Sequence, residues 1–278
     1  MSKKLLSYFP SLKLLREKML TASLNSAARE QKLSDLAQGL EKIVPDITFQ
    51  YSCFNVDTLY IYKKVRYQHA FQISLIDKII HELQSPFIVD IGDSCGTHMQ
   101  YINGLYHNKG IKTLSVNLDA NAVKRIRAKG LDAIHSRAED LESYNVNADI
   151  FLCFETLEHL MDPCHFLRDL SSKTKAKYLI VTVPFLRKSR VGLRYIRNTA
   201  KKVVCAENTH IFELNPEDWK LIAKHSGWNI VEEKIYFQYP RKSFLRFTKI
   251  YWKKFDFEGF YGIVLKRDDS WSSLYKDW

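Results

Sequence analysis

The chain has 278 residues and a formal net charge of +11 at neutral pH, and 46% of its residues are hydrophobic. This length and composition predict one substantial hydrophobic core and exclude an intrinsically disordered chain. The excess of positive charge favours an anionic partner, which is a nucleic acid, an acidic or phosphorylated substrate, or an anionic membrane surface. The simpler alternative is a basic surface that only keeps the protein soluble.

Five cysteines, at positions 53, 95, 153, 164 and 205, form no C-x-x-C pair and no regular pattern. An odd number without a framework predicts buried, reduced thiols rather than disulfides or a zinc ribbon. No stretch approaches the ~20 apolar residues that a membrane helix needs. The first six residues resemble the start of a signal peptide, but charged residues soon interrupt the apolar run. We therefore expect a cytoplasmic protein.

The first 66 residues predict a mainly helical N-terminal extension. Apolar residues recur at spacings of three and four among charged ones, at Leu12, Leu15, Met19, Leu33, Leu36, Leu40 and Ile43. This spacing predicts helices up to about residue 44, and Pro45 ends them. Residues 47–62 are rich in β-branched and aromatic types, which favours an irregular or partly extended segment.

Residues 67–278 predict a single α/β domain. A helix over residues 67–83 is followed by apolar segments that predict strands at 87–90, 113–118, 131–134, 148–154, 178–183, 228–237 and 260–266. Helical segments lie between them, and Asp162-Pro163 and Asn215-Pro216 each have the form of a helix start. Such alternation predicts a Rossmann-like, mostly parallel sheet with helices on both faces.

Residues 90–96, DIGDSCG, join the first strand to a predicted helix. A strand, a glycine turn and a helix N-terminus together form a cradle for a nucleotide-like ligand. A dinucleotide site requires G-x-G-x-x-G, which fails here at Ser94 and at the third spacing. The segment also satisfies the G-x-S-x-G motif of serine hydrolases, with Ser94 as the nucleophile and Asp149 or Asp162 and His210 as partners. Against that alternative, no glycine-rich oxyanion loop precedes the motif.

The same segment resembles the D-x-G-x-G-x-G loop of class I S-adenosylmethionine-dependent methyltransferases, with Ser94 in place of the middle glycine. Three later segments resemble this family in the same order, namely residues 149–163 (DIFLCFETLEHLMDP), 179–184 and 210–219. The resemblance covers residues 67–266, and several weak motifs in the correct order make a strong one. It implies the fold of that family and S-adenosyl-L-methionine as the cofactor.

The resemblance also implies a set of cofactor-binding residues. They are Asp90, Gly92, Ser94 and Gly96 in the loop, Asp119 at the ribose, Ala138 and Glu139 beside the adenine, and Phe154 at the end of the fourth strand. Two features depart from the family, because Arg137 stands where an aspartate is common and residues 173–177 replace a Pro-Gly-Gly turn. These departures leave a non-catalytic binding protein with a methyltransferase fold as an alternative.

The chemistry of transfer is expected at Glu155, Glu158, His159 and His210. If residues 157–160 are helical, the first three of these side chains share one face. The set resembles E-x-x-E-H with a distant histidine in two subfamilies, the small-RNA ribose 2′-O-methyltransferases and the ubiquinone O-methyltransferases. That resemblance implies a divalent metal on all four residues, and Mg²⁺, Mn²⁺, Fe²⁺ or Zn²⁺ would suit such ligands. Such a cation would help an acceptor hydroxyl lose its proton.

Two alternatives to the metal stay open at this cluster. In the first, His159 or His210 is a metal-free general base, with Glu158 beside it. In the second, Glu158 and His159 end a helix and border the pocket without taking part in the chemistry.

Two segments, residues 186–202 and 241–254, mix basic residues with aromatic and aliphatic ones, and the N-terminus with Lys3, Lys4 and Phe9 is a third such stretch. The mixture suits single-stranded RNA or an anionic membrane face, and the alternative is a set of solvated lid helices. We expect O-methylation of a small-molecule, glycan or lipid-linked acceptor at the inner membrane face, with RNA as the second candidate. The N-terminal extension is expected to roof the acceptor site.

Overall fold

The computed structural model describes residues 10–51, 55–140, 147–192 and 209–275. The helices are α1 Pro10–Glu30, α2 Ser34–Ile43, α3 Leu59–Glu82, α4 Thr97–Leu105, α5 Ala120–Ala128, α6 Pro163–Lys173, α7 Pro216–His225 and α8 Lys249–Phe255. The strands are β1 Phe87–Ile91, β2 Lys112–Asn117, β3 Ala133–His135, β4 Ile150–Phe154, β5 Tyr178–Pro184, β6 Arg190–Val191, β7 Phe212–Glu213, β8 Trp228–Phe237 and β9 Gly259–Arg267. Residues 193–202 of the first basic segment, Lys3, Lys4, Phe9, Cys53 and Cys205 lie outside the described residues.

Seven strands form one sheet in the order β3-β2-β1-β4-β5-β9-β8. Strands β3, β2, β1, β4 and β5 are parallel to one another, whereas β9 is antiparallel to both β5 and β8. This confirms the predicted Rossmann-like, mostly parallel sheet. The chain runs from β1 outward to β3 and then returns to β4 on the other side of β1. At such a reversal of strand order, a crevice opens outside the carboxyl ends of the strands.

Helices cover both faces of the sheet, as predicted. Successive residues of a strand point to opposite faces, so neighbouring strand residues pack against different helices. Ile88 and Leu152 pack in one cluster with side chains of α1 to α4. Their neighbours Val89 and Phe151 pack in a second cluster with side chains of α6 and α7. Strands β4 and β5 are buried along their whole length, which explains why their sequences are apolar without alternation.

Helix α3 begins at Leu59, eight residues before the predicted start. The prediction of an irregular or extended segment over residues 47–62 is therefore wrong for its last four residues. The Thr58 hydroxyl accepts a hydrogen bond from the Ile61 amide at 3.2 Å and so caps the helix. Cap and packing together override the low helix propensity of β-branched and aromatic residues. The expected boundary after residue 66 falls inside this helix.

Two findings concern the thiols and the membrane. Cys95 and Cys153 are buried free thiols, as predicted, but the expectation is wrong for Cys164, which is exposed on the first turn of α6.

Among the described residues, none of the helices is both long and apolar enough to cross a bilayer. The other predicted elements agree in type with the structure, except at residues 157–160, and their ends differ by a few residues.

Candidate cofactor pocket and His/Glu cluster

A cavity of about 270 Å³ lies at the carboxyl ends of the first four strands, close to the lower limit of ~300 Å³ that is usual for small-molecule sites. Segments that follow β1, β2, β3 and β4 form most of its wall, and α3 and the loop after α2 close it. The lining residues include Gln50, Tyr51, Gln72, Gly92, Ser94, His98, Asn117, Ala138, Glu139, Phe154, Glu155 and His159. The N-terminal extension thus contributes Gln50 and Tyr51 to this wall.

Gly92 forms the tight turn that the sequence predicted at the end of β1. Its φ is +93°, and its amide donates to the Val116 carbonyl at 2.8 Å. A Cβ atom at this position would collide with the Thr156 hydroxyl oxygen, which itself lies 3.2 Å from the Ile91 carbonyl. Only glycine fits this close approach of two loops. Gly96 serves a different purpose, because it caps α4 with a φ of +72° and does not line the cavity.

Two buried aspartates support the glycine turn through hydrogen bonds. Asp93 accepts hydrogen bonds from the Gly96 amide at 3.0 Å and from the Ser115 hydroxyl at 2.9 Å. Asp90 lies 3.0 Å from Nδ1 of His98, and it is buried below the turn and does not line the cavity. Burial and the charge of Asp93 raise the pKa of Asp90 to about 6. Asp90 therefore supports the loop instead of lining the ligand pocket.

The sequence analysis did not identify His98. Its Nε2 lies 3.0 Å from the Gln72 side-chain oxygen, and its Nδ1 faces Asp90. Burial lowers the pKa of His98, but the bond to Asp90 and the charges of Asp90 and Asp93 outweigh burial and raise it. Both ring nitrogens of His98 face oxygen acceptors, and this arrangement favours the protonated imidazole. Asp90, Asp93 and His98 also lie close enough to hold a metal, but they already bond one another and their neighbours.

At the end of β2, the structure places Asn117, and not Asp119, on the cavity wall. Asp119 follows the strand by two residues, and its carboxylate accepts from the Asn121 amide at 2.8 Å as the cap of α5. The Asn117 side chain donates to the Asp93 carbonyl at 2.9 Å and accepts from the Asp119 amide at 2.7 Å. An aspartate immediately before a helical pattern is a capping signal. This signal could have assigned Asp119 to the helix cap, and the ribose contact to Asn117 at the end of the strand.

Ala138 and Glu139 line the cavity as the resemblance implied, beyond the end of β3. Arg137 lies beside them, with its guanidinium 3.6 Å from the Glu139 carboxylate. Phe154 lines the opposite side, at the end of β4.

The structure does not assemble the triad of the serine hydrolase alternative. Asp149 precedes β4 and accepts from the Phe87 amide at 3.0 Å, so it lies at the amino edge of the sheet. Ser94 follows β1 at the carboxyl edge, roughly 16 Å away for a five-residue strand. Asp162 caps α6 through the His165 amide, and Nδ1 of His210 faces Glu213.

Glu158, His159 and His210 form a cluster whose ligand atoms all lie within 4.8 Å of one another. The two imidazole centroids are 4.7 Å apart, and Nε2 of His159 is 4.0 Å from the Glu158 carboxylate. The Ile211 amide donates to the Glu158 carbonyl at 2.6 Å, which holds the His210 segment against the turn after β4. His159 and His210, which are 51 positions apart in the sequence, are brought together in this way.

The partners of the two imidazoles fix their orientation. Nδ1 of His159 is 3.0 Å from the Thr209 carbonyl, and Nδ1 of His210 is 3.1 Å from the Glu213 carboxylate, which Arg190 also contacts. Burial raises the pKa of Glu213, but the bonds to His210 and Arg190 outweigh it and lower the pKa. Because both Nδ1 atoms face acceptors, these contacts favour the tautomer of each imidazole that has the proton on Nδ1 and the lone pair on Nε2. Metal-ligating histidines are oriented by such contacts.

The carboxylates of Glu155 and Glu158 are buried with little hydrogen bonding. Among the described residues, neither side-chain oxygen of Glu158 has a hydrogen-bond partner, nor has Oε1 of Glu155. Burial, followed by the charge of Glu155, raises the pKa of Glu158 well above its usual value. Burial also raises the pKa of Glu155 to about 8. Buried carboxylates without partners are unfavourable, so this arrangement suits a cation.

The prediction that Glu155, Glu158 and His159 share one helical face is wrong. Residues Leu157–His159 form a single 3-10 turn, and Glu155 precedes it with a φ of +50°. A non-glycine residue in this region is strained, and such strain is common at functional sites. The turn, and not a helix face, directs Glu158 and His159 toward His210.

No protein-family model matches this chain, and no curated protein matches it. Solved structures do. They include the 1,6-didemethyltoxoflavin-N1-methyltransferase of Burkholderia thailandensis with bound S-adenosylhomocysteine, with a TM-score of 0.51 and 10% identity over 73% of this chain and 79% of that one. A putative sarcosine dimethylglycine methyltransferase from Galdieria sulphuraria gives a TM-score of 0.53 and 10% identity over 76% of this chain and 88% of that one.

This chain has the Rossmann-like methyltransferase fold. The [4+2]-cyclase SpnF has a TM-score of 0.54 and 12% identity to it, over 87% of this chain and 97% of that one. At such identities the likeness shows the fold alone, and a methyltransferase fold hosts more than one reaction. The activity therefore has to be argued from the site.

Proposed function

We propose that this chain transfers a methyl group from S-adenosylmethionine to a hydroxyl of a small-molecule, glycan or lipid-linked acceptor. The observation that carries the proposal is that His159 belongs to two sites, because it lines the cavity and is also a member of the His/Glu cluster. Methyl transfer to a hydroxyl needs an acceptor aligned with the methyl donor and a group that removes a proton. In this protein, His159 would bring the methyl donor in the cavity close to the group that removes the proton.

The cofactor supplies a methyl group on a positively charged sulfur, and the side chains of this protein supply binding and orientation. The glycine turn at Gly92 lets the backbone approach a ligand. The Asn117 side-chain oxygen has a second lone pair and would accept a hydrogen bond from the ribose. Ala138 and Glu139 would border the adenine.

Glu158, His159 and His210 would hold a divalent cation, since their oxygen and nitrogen atoms suit Mg²⁺, Mn²⁺, Fe²⁺ and Zn²⁺ alike. Glu155, the fourth ligand implied by the resemblance, lies outside this cluster. The cation would offset the charge of the carboxylates and lower the pKa of an acceptor hydroxyl. In the metal-free alternative, His159 is the candidate base, because its Nε2 then keeps the lone pair for a proton and its ring borders the cavity. His210 and Glu213 orient the opposite side of the cluster.

Calorimetric titration with S-adenosylmethionine tests the cofactor. We expect the wild-type chain to bind it and Asn117→Ala to bind about tenfold more weakly, which corresponds to one lost hydrogen bond. Asp119→Ala is the matched control, because its carboxylate caps a helix outside the cavity wall. Absence of binding by the wild-type chain would contradict the enzyme proposal and favour a non-catalytic binding protein.

Titration of chelator-treated protein with Mn²⁺ and Zn²⁺ tests the cluster. We expect one ion to bind, and Glu158→Gln and His210→Asn to abolish binding. His165→Asn on α6 is the control, because that imidazole is exposed and, among the described residues, forms its ion pair with Asp169 and not with the cluster. If no ion binds the wild-type chain and chelator leaves methyl transfer unchanged, His159 acts as a metal-free base.

A further inference from the structure

The segment that connects β8 to β9 carries three large apolar side chains in a row on its surface. Phe244, Phe247 and Ile250 are 81%, 49% and 72% exposed. They belong to the 3-10 helix Phe244–Thr248 and to α8, which follows it directly. A spacing of three places them on one face of such a helix. Apolar side chains exposed together in this way mark an interaction surface.

The opposite face of the same segment is firmly anchored. Thr248 and Trp252 are buried, and the Thr248 hydroxyl is 2.7 Å from the Ser23 hydroxyl on α1. The Glu30 carboxylate accepts hydrogen bonds from the Arg241 and Lys242 amides, each at 3.0 Å. The exposed apolar row therefore belongs to a well-packed segment, and a partner would find it already in place.

Positive charge surrounds the apolar row. Residues 241–254 contain six basic residues and no acidic one. Lys249 and Lys253 lie 3.9 and 3.6 Å from Glu258, whereas Arg246 and Lys254 have no ion pair within the described chain. A groove of about 960 Å³ runs beside the row, and six cations but only two carboxylates line it. The surface is thus both apolar and strongly cationic.

We propose that residues 241–255 form a docking face for an anionic phospholipid bilayer. Phe244, Phe247 and Ile250 would insert among the headgroups, while Arg246 and Lys254 would bind lipid phosphates. Short amphipathic helices with apolar and basic residues bind membrane surfaces in this way, and each basic residue near an anionic leaflet strengthens binding.

The charge and the side-chain types favour this partner over two others. Self-association through this face would bring six cations against six, which is electrostatically unfavourable. Single-stranded RNA binds by stacking its bases on aromatic rings, and the aliphatic side chain of Ile250 offers no ring. A bilayer surface satisfies both the apolar row and the surrounding cations.

The residues that directly follow the docking face contact the His/Glu cluster. Phe257 stacks on His210 at a centroid distance of 5.5 Å and an interplanar angle of 12°. The next residue, Glu258, accepts hydrogen bonds from Arg187 and Tyr239, which also line the basic groove. If the proposed function holds, docking would place the site where a lipid-linked acceptor is presented. The docking itself does not depend on methyl transfer.

Co-sedimentation of the full chain with vesicles tests the proposal. We expect binding to vesicles of phosphatidylcholine mixed with phosphatidylglycerol, little binding to phosphatidylcholine alone, and weaker binding at high salt. The triple variant F244S/F247S/I250S should bind at least about tenfold less, and R246E/K254E should lose binding similarly. Leu274→Ser, which is 69% exposed, and Lys124→Glu on α5 are the controls and should bind like the wild-type chain.

Several outcomes would overturn the proposal. They are no binding of the wild-type chain to anionic vesicles, equal binding to neutral vesicles, and undiminished binding of both variants. Tighter binding to single-stranded RNA than to vesicles, or a dimer that the triple substitution dissolves, would assign the face to another partner. Thermal melting checks the fold of each variant, and R246E/K254E keeps the test decisive if the triple variant fails to fold. Since no methyl donor is present, failure here would not affect the proposed function.

Discussion

Gly92 and Gly130 both have positive φ, of +93° and +74°, but only Gly92 is crowded. A Cβ at Gly92 would collide with the Thr156 hydroxyl, whereas nothing lies within 4 Å of the corresponding position at Gly130. We expect Gly92→Ala to lower the free energy of unfolding by about 2–4 kcal/mol, from backbone strain and overpacking together. Gly130→Ala should cost only about 1 kcal/mol of strain. Urea denaturation measures both, and equal losses would contradict a steric role for Gly92.

Glu258 predicts a pH dependence of stability. Burial raises its pKa, but hydrogen bonds from Arg187 and Tyr239 outweigh burial and lower the pKa below its usual 4.5. The unfolded chain then binds the proton first, so the stabilisation is present above pH 4.5 and is lost as the pH falls through the folded pKa. Glu258→Gln should cost about 2 kcal/mol at neutral pH.

The difference between Glu258→Gln and the wild-type chain should shrink as the pH falls below 4.5 and through the lower pKa of the folded state. Urea denaturation across this range measures it. Glu217→Gln is the control, because its side chain is 78% exposed and should change stability little at any pH. A difference that does not vary with pH would mean that the Glu258 carboxylate is not held ionised by its partners.

Single residues of the site were predictable where their role depends on the local backbone. Gly92 was predictable because a tight turn after a strand needs glycine. Ser94, Ala138 and Glu139 followed from the resemblance of their segments to the methyltransferase family. His98 was not predictable, because its role comes from contacts with Asp90 and Gln72 that depend on the folded chain.

At the scale of elements, Arg66 joins three of them. Its buried guanidinium donates to the Leu40 and Val44 carbonyls at the end of α2, at 3.2 and 2.8 Å, and to the Tyr101 hydroxyl of α4 at 2.6 Å. We expect Arg66→Met to lower the free energy of unfolding by about 3–5 kcal/mol, because it removes these buried, charge-assisted hydrogen bonds together. Chemical denaturation measures this loss.

The same substitution should also weaken S-adenosylmethionine binding, since the loop that begins at the end of α2 places Gln50 and Tyr51 on the cavity wall. Lys63→Met is the matched control, because Lys63 is partly exposed and its contacts are an ion pair with Glu41 at 3.8 Å and the ring of Tyr62. A similar loss in both variants would contradict the role given to Arg66.

Elements were predictable where one strong local signal dominates. Asp162 and Asn215 each cap the helix that the sequence placed after them, and the apolar run of β5 gave a buried strand. The turn at residues 157–159 was not predictable in this way. Three helix-compatible residues cannot complete α-helical hydrogen bonding, and the burial of Leu157 and Glu158 decides their conformation.

At the scale of the molecule, the N-terminal helices share a core with the sheet. Leu20 and Leu24 of α1 belong to the same cluster as Val264 of β9, and α3 crosses the boundary expected after residue 66. We propose that the chain unfolds as one cooperative unit. Scanning calorimetry should show a single transition, whereas separate transitions for residues 1–66 and 67–278 would contradict this.

The sequence by itself determined the class of fold and the place of the cofactor turn. Apolar periodicity and caps are local, and they specify strands, helices and the order in which they alternate. Tertiary structure decided which strand lies beside which, that Asn117 and not Asp119 faces the cavity, and that His210 meets Glu158 and His159. These outcomes depend on contacts between residues far apart in the chain, which no local pattern encodes.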